Sequence, residues 1–142
     1  MRSMIWVLNA LATRSDVKLF VVESNGDGDA AVERLVSMDV DATLVQFEEL
    51  ARAVSRCDVL IVEALAAGPT EVLCISGSYA VAALGYVMQK PVWLVTACGT
   101  RLPAPLWSAM IAGDAINEVD LLSSSLFSRV ISKDGISDDL SQ

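Results

Sequence analysis

The sequence contains no histidine. That absence removes Ser-His-Asp and Cys-His catalysis and every zinc site built on imidazole. Cysteine is scarce as well. Cys57, Cys74 and Cys98 show no CxxC spacing, which speaks against thiolate zinc and thioredoxin-type redox chemistry. An odd number of thiols in a chain with an ample core fits a reduced, intracellular, cytoplasmic protein rather than a disulfide framework. Acid–base work falls to carboxylates, a thiol, Tyr79 or Tyr86, and no residue pattern asks for a metal or a cofactor. Basic residues are few: Lys and Arg number 10 against 18 Asp and Glu, for a net charge of −8. No basic stripe exists, so a nucleic-acid surface is excluded. The acidic balance fits plain solubility, with steering of a cationic partner as the other use. Long apolar runs are missing too. Gln89-Lys90-Pro91 breaks the longest one short of the ~20 residues a membrane span requires. Met4–Leu8 and Ala10-Leu11-Ala12 imitate a signal peptide, but Asn9 cuts the apolar part below the usual ~7–15 residues. An amphipathic first helix over Met1–Arg14 fits better, with Met4, Leu8, Leu11 and Ala12 on one face.

What is present is apolar and regularly punctuated. Hydrophobic residues make up 54% of 142, enough for one domain with a single core, and no interdomain linker or repeat interrupts them. Val17–Glu23, Val40–Val45, Val59–Val62 and Val92–Ala97 are short β-branched runs without alternation, as in strands buried on both faces. Helices are expected over Ala30–Met38, Glu48–Arg56, the segment from Ser76-Gly77-Ser78 to Gln89, and Leu106–Ala112. Asp29 is the N-cap candidate for the first of these and Ser76 or Ser78 for the third. Val81, Leu84, Val87 and Met88 form the expected core stripe of that third helix. Leu126–Ser132 adds a late edge-like strand, and a polar, acidic tail follows from Lys133. Alternating strands and helices predict an α/β fold: an open, mostly parallel sheet with helices on both faces, Rossmann-like and three-layered. Ligands in such sheets sit beyond the carboxyl ends of the strands, here at the loops opening at Ser24, Gln46, Glu63 and Cys98.

Three groups in those loops bear on chemistry. Ser76-Gly77-Ser78 heads a helix, and its backbone N–H groups suit either a phosphate or simple capping by a serine. Glu63 ends a buried strand and is the carboxylate best placed for catalysis, or else a solvated loop acid. Cys98-Gly99-Thr100-Arg101 offers a thiol without a base beside it and, in Arg101, the one cation of these loops. The first loop, Ser24-Asn25-Gly26-Asp27-Gly28-Asp29, lacks GxGxxG and points acids at a would-be pyrophosphate, which weakens a nucleotide-dependent oxidoreductase.

Phe20-Val21-Val22-Glu23-Ser24, Cys57–Val62, Ser76-Gly77-Ser78, Lys90–Val95 and Phe127–Ile131, in that order, resemble the C-terminal Rossmann-like domain of the initiation factor 2B alpha/beta/delta family. That family includes the ribose-1,5-bisphosphate and methylthioribose-1-phosphate isomerases. The resemblance spans nearly the whole chain, and Gly77-Ser78 matches the family's Gly-Thr step. Its N-terminal helical domain has no counterpart here beyond Met1–Arg14. The isomerases' catalytic Asp corresponds to Leu65, their substrate-gripping Asn-Lys to Cys74-Ile75, and the Arg after the first strand to Asn25. Their catalytic Cys precedes the first strand, where this sequence has none. The resemblance therefore implies a non-catalytic, dimerising or phosphorylated-ligand-binding module, with Ser76, Gly77, Ser78 and Arg101 as the binding residues. The alternative is a divergent aldose–ketose isomerase that uses Glu63. A homodimer is expected, because the first helix and the crossover helices are apolar on more faces than one small domain covers. A phosphorylated small molecule or nucleotide is the other partner in view, with no nucleic acid and no membrane.

Overall fold

In unit 1, Met1–Arg56, the β-branched run after Asp16 and a second one 23 residues later in register lie side by side. The computed structural model describes residues 16–23, 26–96, 101–113, 119–132 and 134–138. The helix expected at Met1–Arg14, along with Ser24, Asn25 and Cys98–Thr100, lies outside the described residues. Strand β1 (Lys18–Val22) runs parallel to β2 (Asp41–Val45), with Lys18 opposite Asp41 and Val22 opposite Val45. Helix α1 (Gly28–Ser37) connects them. Its end is a left-handed residue, Asp39, at φ 60°, and the Val40 N–H closes back onto the Leu35 carbonyl at 3.0 Å. That reversal satisfies a carbonyl the helix would otherwise leave open. A 3₁₀ turn (Phe47–Glu49) leads into α2 (Leu50–Arg56). Leu35, Val45, Leu50, Ala53 and Val54 are buried here.

Unit 2, Cys57–Gln142, carries a six-stranded sheet in the order β6-β4-β3-β5-β7-β8. Its strands are β3 (Leu60–Ala67), β4 (Glu71–Ile75), β5 (Val92–Val95), β6 (Val119–Ser123), β7 (Arg129–Ser132) and β8 (Gly135–Ser137). The centre is parallel, β3 with β5 and β5 with β7. Leu94 and Leu122 are fully buried, each such side chain being worth about 1.5–3 kcal/mol of transfer free energy. The α/β class and the open sheet with a parallel heart agree with the sequence reading. That reading missed the antiparallel additions on either side.

Three of those additions change the map. The chain does not turn from strand to helix after Val62. It runs on to Ala67, turns at Gly68-Pro69-Thr70 and returns as β4, antiparallel to β3, with a bulge between Ala64 and Ala66. Strand β6 then pairs antiparallel with β4. The tail forms β8 against β7, where Arg129 pairs with Asp138. Helices α3 (Ser78–Val87) and α4 (Ala104–Ile111) complete the unit. None of the described helices is long and apolar enough to cross a membrane.

Helix α3 also corrects the expected core stripe. Its buried residues are Ser78, Ala82 and Gly85, whereas Val81, Leu84 and Met88 are half-buried and Val87 is 76% exposed. Small residues face the sheet because the backbone approaches it closely. A Cβ on Gly85 would lie 2.6 Å from Leu60 Cδ1 and from Val92 Cγ2.

Candidate functional site

The Ser76-Gly77-Ser78 step joins β4 to α3. The N-cap residue is Gly77, at φ 97°, a left-handed conformation that glycine adopts without a Cβ penalty. The N-cap position thus falls to Gly77 and not to Ser76 or Ser78, the residues expected there. The cap comes from across the sheet. The N–H groups of Gly77 and Tyr79 both donate to Asp120 Oδ2, each at 2.9 Å. Asp120 lies on β6 directly opposite Cys74 on β4, so the strand register carries its carboxylate to the turn. A carboxylate accepting two amides at the positive end of a helix is a charge-assisted arrangement. The anion held by these amides is thus the chain's own.

The same device recurs in unit 1. Asp29, expected as the N-cap, sits in the first turn of α1; the N-cap residue is Asp27, and its side chain makes no capping bond. Glu23, just past β1, supplies the acceptor instead. Its Oε1 receives the N–H of Gly26 at 2.9 Å and of Gly28 at 3.3 Å. Gly28 leaves room for this approach, since a Cβ there would lie 2.6 Å from Glu23 Oε2 and 2.5 Å from Leu44 Cδ1 and would push those side-chain ends aside. The Gly26 and Gly28 amides are therefore both held by one internal carboxylate.

Glu63 is half-buried inside β3, not at the end of that strand. It stands opposite Val95, the last residue of β5, so it does mark the end of the parallel part of the sheet. Cys74 on β4 is fully buried, and its thiol is pushed up to about 12 by desolvation, reinforced by the negative charges of Asp120 and Glu63. It stays protonated at neutral pH and is no nucleophile. Cys57 is half-buried and its thiol is likewise raised, chiefly by desolvation. Leu65, at the β3 bulge, is 44% exposed. Arg101 bridges to Ala67, the final residue of β3, and the next N–H, of Leu102, donates to the Ala67 carbonyl at 2.8 Å. The residues expected to share a phosphate are thus held by different elements, Arg101 against the end of β3 and Ser76–Ser78 between β4 and α3. Asp120 went unread in the sequence. Its one signal was the apolar run Val119-Asp120-Leu121-Leu122 before a serine cluster.

No protein-family model and no curated protein matches the chain. Solved structures do. Translation initiation factor eIF-2B subunit delta from A. fulgidus superposes with a TM-score of 0.77 at 15% identity, over 94% of this chain and 47% of that one. The eIF-2B of Pyrococcus horikoshii OT3 gives 0.77 at 15%, over 93% and 54%. The eIF2B beta of Chaetomium thermophilum gives 0.70 at 18%, over 92% and 41%. The chain spans about half the length of these proteins. Identities this low speak to architecture alone, and on that ground the chain has the initiation factor 2B-like α/β fold.

Proposed function

We propose that this chain is a non-catalytic assembly domain, acting through its surfaces rather than through a phosphate-binding pocket. The observation that carries this reading is the Asp120 carboxylate on the Gly77 and Tyr79 amides. In the isomerases that the sequence resembles, the Gly-Thr step corresponds to Gly77-Ser78. Here Asp120 already occupies the Gly77 and Tyr79 amides, and a second anion would meet its charge. The isomerase-like positions agree: Leu65 replaces the acid, and Cys74-Ile75 replaces Asn-Lys. Support for assembly comes from the structural neighbours, one of which is named as a subunit of a larger factor.

An isomerase built on Glu63 is the competing reading. Glu63 would have to move protons from within a strand, beside a thiol that remains protonated, and proton transfer requires a group within hydrogen-bond reach of substrate. The test is incubation of the purified chain with ribose-1,5-bisphosphate and with methylthioribose-1-phosphate. The expected outcome is no ketose above the protein-free control. Ketose formation that disappears in Glu63→Gln would overturn the proposal.

A further inference from the structure

The sheet of unit 2 ends on a strand that the core hardly holds. Strand β8 is 3 residues long, outermost in the strand order, and paired with β7, Val130 opposite Ser137 and Ser132 opposite Gly135. Gly135 and Ile136 are exposed, Ile136 at 66%. Burial of apolar surface fastens most strands, and β8 has little of it. Its other fastening is the ion pair between Arg129 and Asp138, with the Asp138 side chain 83% exposed. Solvent-exposed pairs of this kind contribute little.

Strand β7 is held differently. Val130 and Ile131 are buried, and β5 runs parallel to β7 on its inner side. The Thr96 N–H donates to the Ile131 carbonyl and the Ser128 N–H to the Val92 carbonyl, both at 2.9 Å. Strand β7 therefore stays in place when β8 lifts, since poorly buried edge elements open well below the energy of global unfolding. Its outer edge is then a row of unpaired N–H and C=O groups, a template for an added strand. Main-chain hydrogen bonds supply the affinity in that mode of recognition. The resident strand shows what this edge selects. Ile136 lies in solvent, so no pocket reads an apolar side chain there, and its neighbours in β8 are the small residues Gly135 and Ser137. The charged contact is Arg129, which takes a carboxylate at the end of the strand.

We propose that the outer edge of β7 is a strand-addition site, occupied here by residues 135–138 of the chain itself and open to a partner's extended segment of small residues ending in a carboxylate. Such a site stands apart from the assembly reading: turnover of a sugar phosphate would overturn that reading and leave the edge untouched. The probe is a labelled peptide, Asp-Gly-Ile-Ser-Asp, the sequence of residues 134–138, titrated by anisotropy into the full chain and into full-length Gly135→Val. Gly135 sits at φ 121° with nothing within 4 Å of a Cβ, so the variant strains the turn into β8 without meeting any side chain. Strain there raises the fraction of chains with the edge open, and the peptide should bind the variant roughly fivefold tighter or more. Equal affinity for the two chains, or no binding to either at millimolar peptide, would overturn the site. A peptide ending in Lys should bind the variant less well, and equal binding of the two peptides would overturn selection by Arg129. A variant that sediments as a dimer without peptide would show a second copy's tail filling the edge, which overturns the partner segment. Hydrogen exchange of the wild-type chain needs no variant. The Gly135–Ser137 amides should exchange faster than those of Leu94 and Val95, and equal protection would refute the lifting of β8.

Discussion

Gly68 lies close against Trp107 in unit 2. A Cβ on Gly68 would lie 2.4 Å from two atoms of the buried indole. An aromatic ring cannot swing aside as an aliphatic end does, so Gly68→Ala must displace the β3–β4 turn or α4. Overpacking of this kind costs about 1–3 kcal/mol, more than the ~0.4–1 kcal/mol that alanine gains by restricting the unfolded chain. The urea midpoint of Gly68→Ala should therefore fall while the m-value holds. Cys74 supplies a pH signature. Its thiol titrates near 12 when folded against a reference of 9.0, so above pH 9 the unfolded chain releases a proton that the folded chain keeps. Stability should decline as pH rises from about 9 to about 12, by up to ~1.4 kcal/mol per pH unit from this group. Comparison with Cys74→Ala, which should lose that component of the slope, separates it from the tyrosines and lysines.

At the scale of elements, the joint between β4 and α3 depends on a residue 43 positions away in sequence. Asp120→Ala would leave the Gly77 and Tyr79 amides without their acceptor and should destabilise by about 1–3 kcal/mol. Asp120→Asn keeps a carbonyl oxygen but loses the charge, so it should cost less; equal losses in chemical denaturation would argue against the two-amide bond. The elements legible in the sequence were those with local signals. The β-branched runs gave β1, β2, β5 and the first half of β3, and apolar spacing gave the helices to within a few residues. What was not legible came from long-range pairing. Glu71–Ile75 and Val119–Ser123 are strands because each completes the other's hydrogen bonds, and neither has the bounded β-branched look of a central strand. Gly77 was legible as a helix start, but not as the N-cap itself. The serines beside it fit the usual capping rule, and only the fold brings Asp120 within reach. Val87 was misassigned to the core because hydrophobicity was read as burial, whereas close approach to β3 and β5 selects Gly85 and Ala82 for the inner face.

Across the whole molecule, acidic residues do two jobs. All 18 count toward the net charge of −8, and two of them, Glu23 and Asp120, also hold the chain's own backbone amides, one in each unit. In both units a carboxylate of the chain itself takes two backbone amides of a glycine-bearing turn ahead of a helix, a ready anion site in folds of this class. The β4–β6 register holds Asp120 in place, so its carboxylate loses no translational freedom on binding, whereas a free phosphate does. That difference favours the internal anion at any ordinary ligand concentration. The most direct test is a backbone-amide NMR titration of the wild-type chain with phosphate and with ribose-1,5-bisphosphate. The Gly77, Ser78 and Tyr79 signals should stay in place up to millimolar ligand. Saturable shifts at those amides, shared with Arg101, would contradict closure by Asp120 and return the helix start to service as a phosphate site.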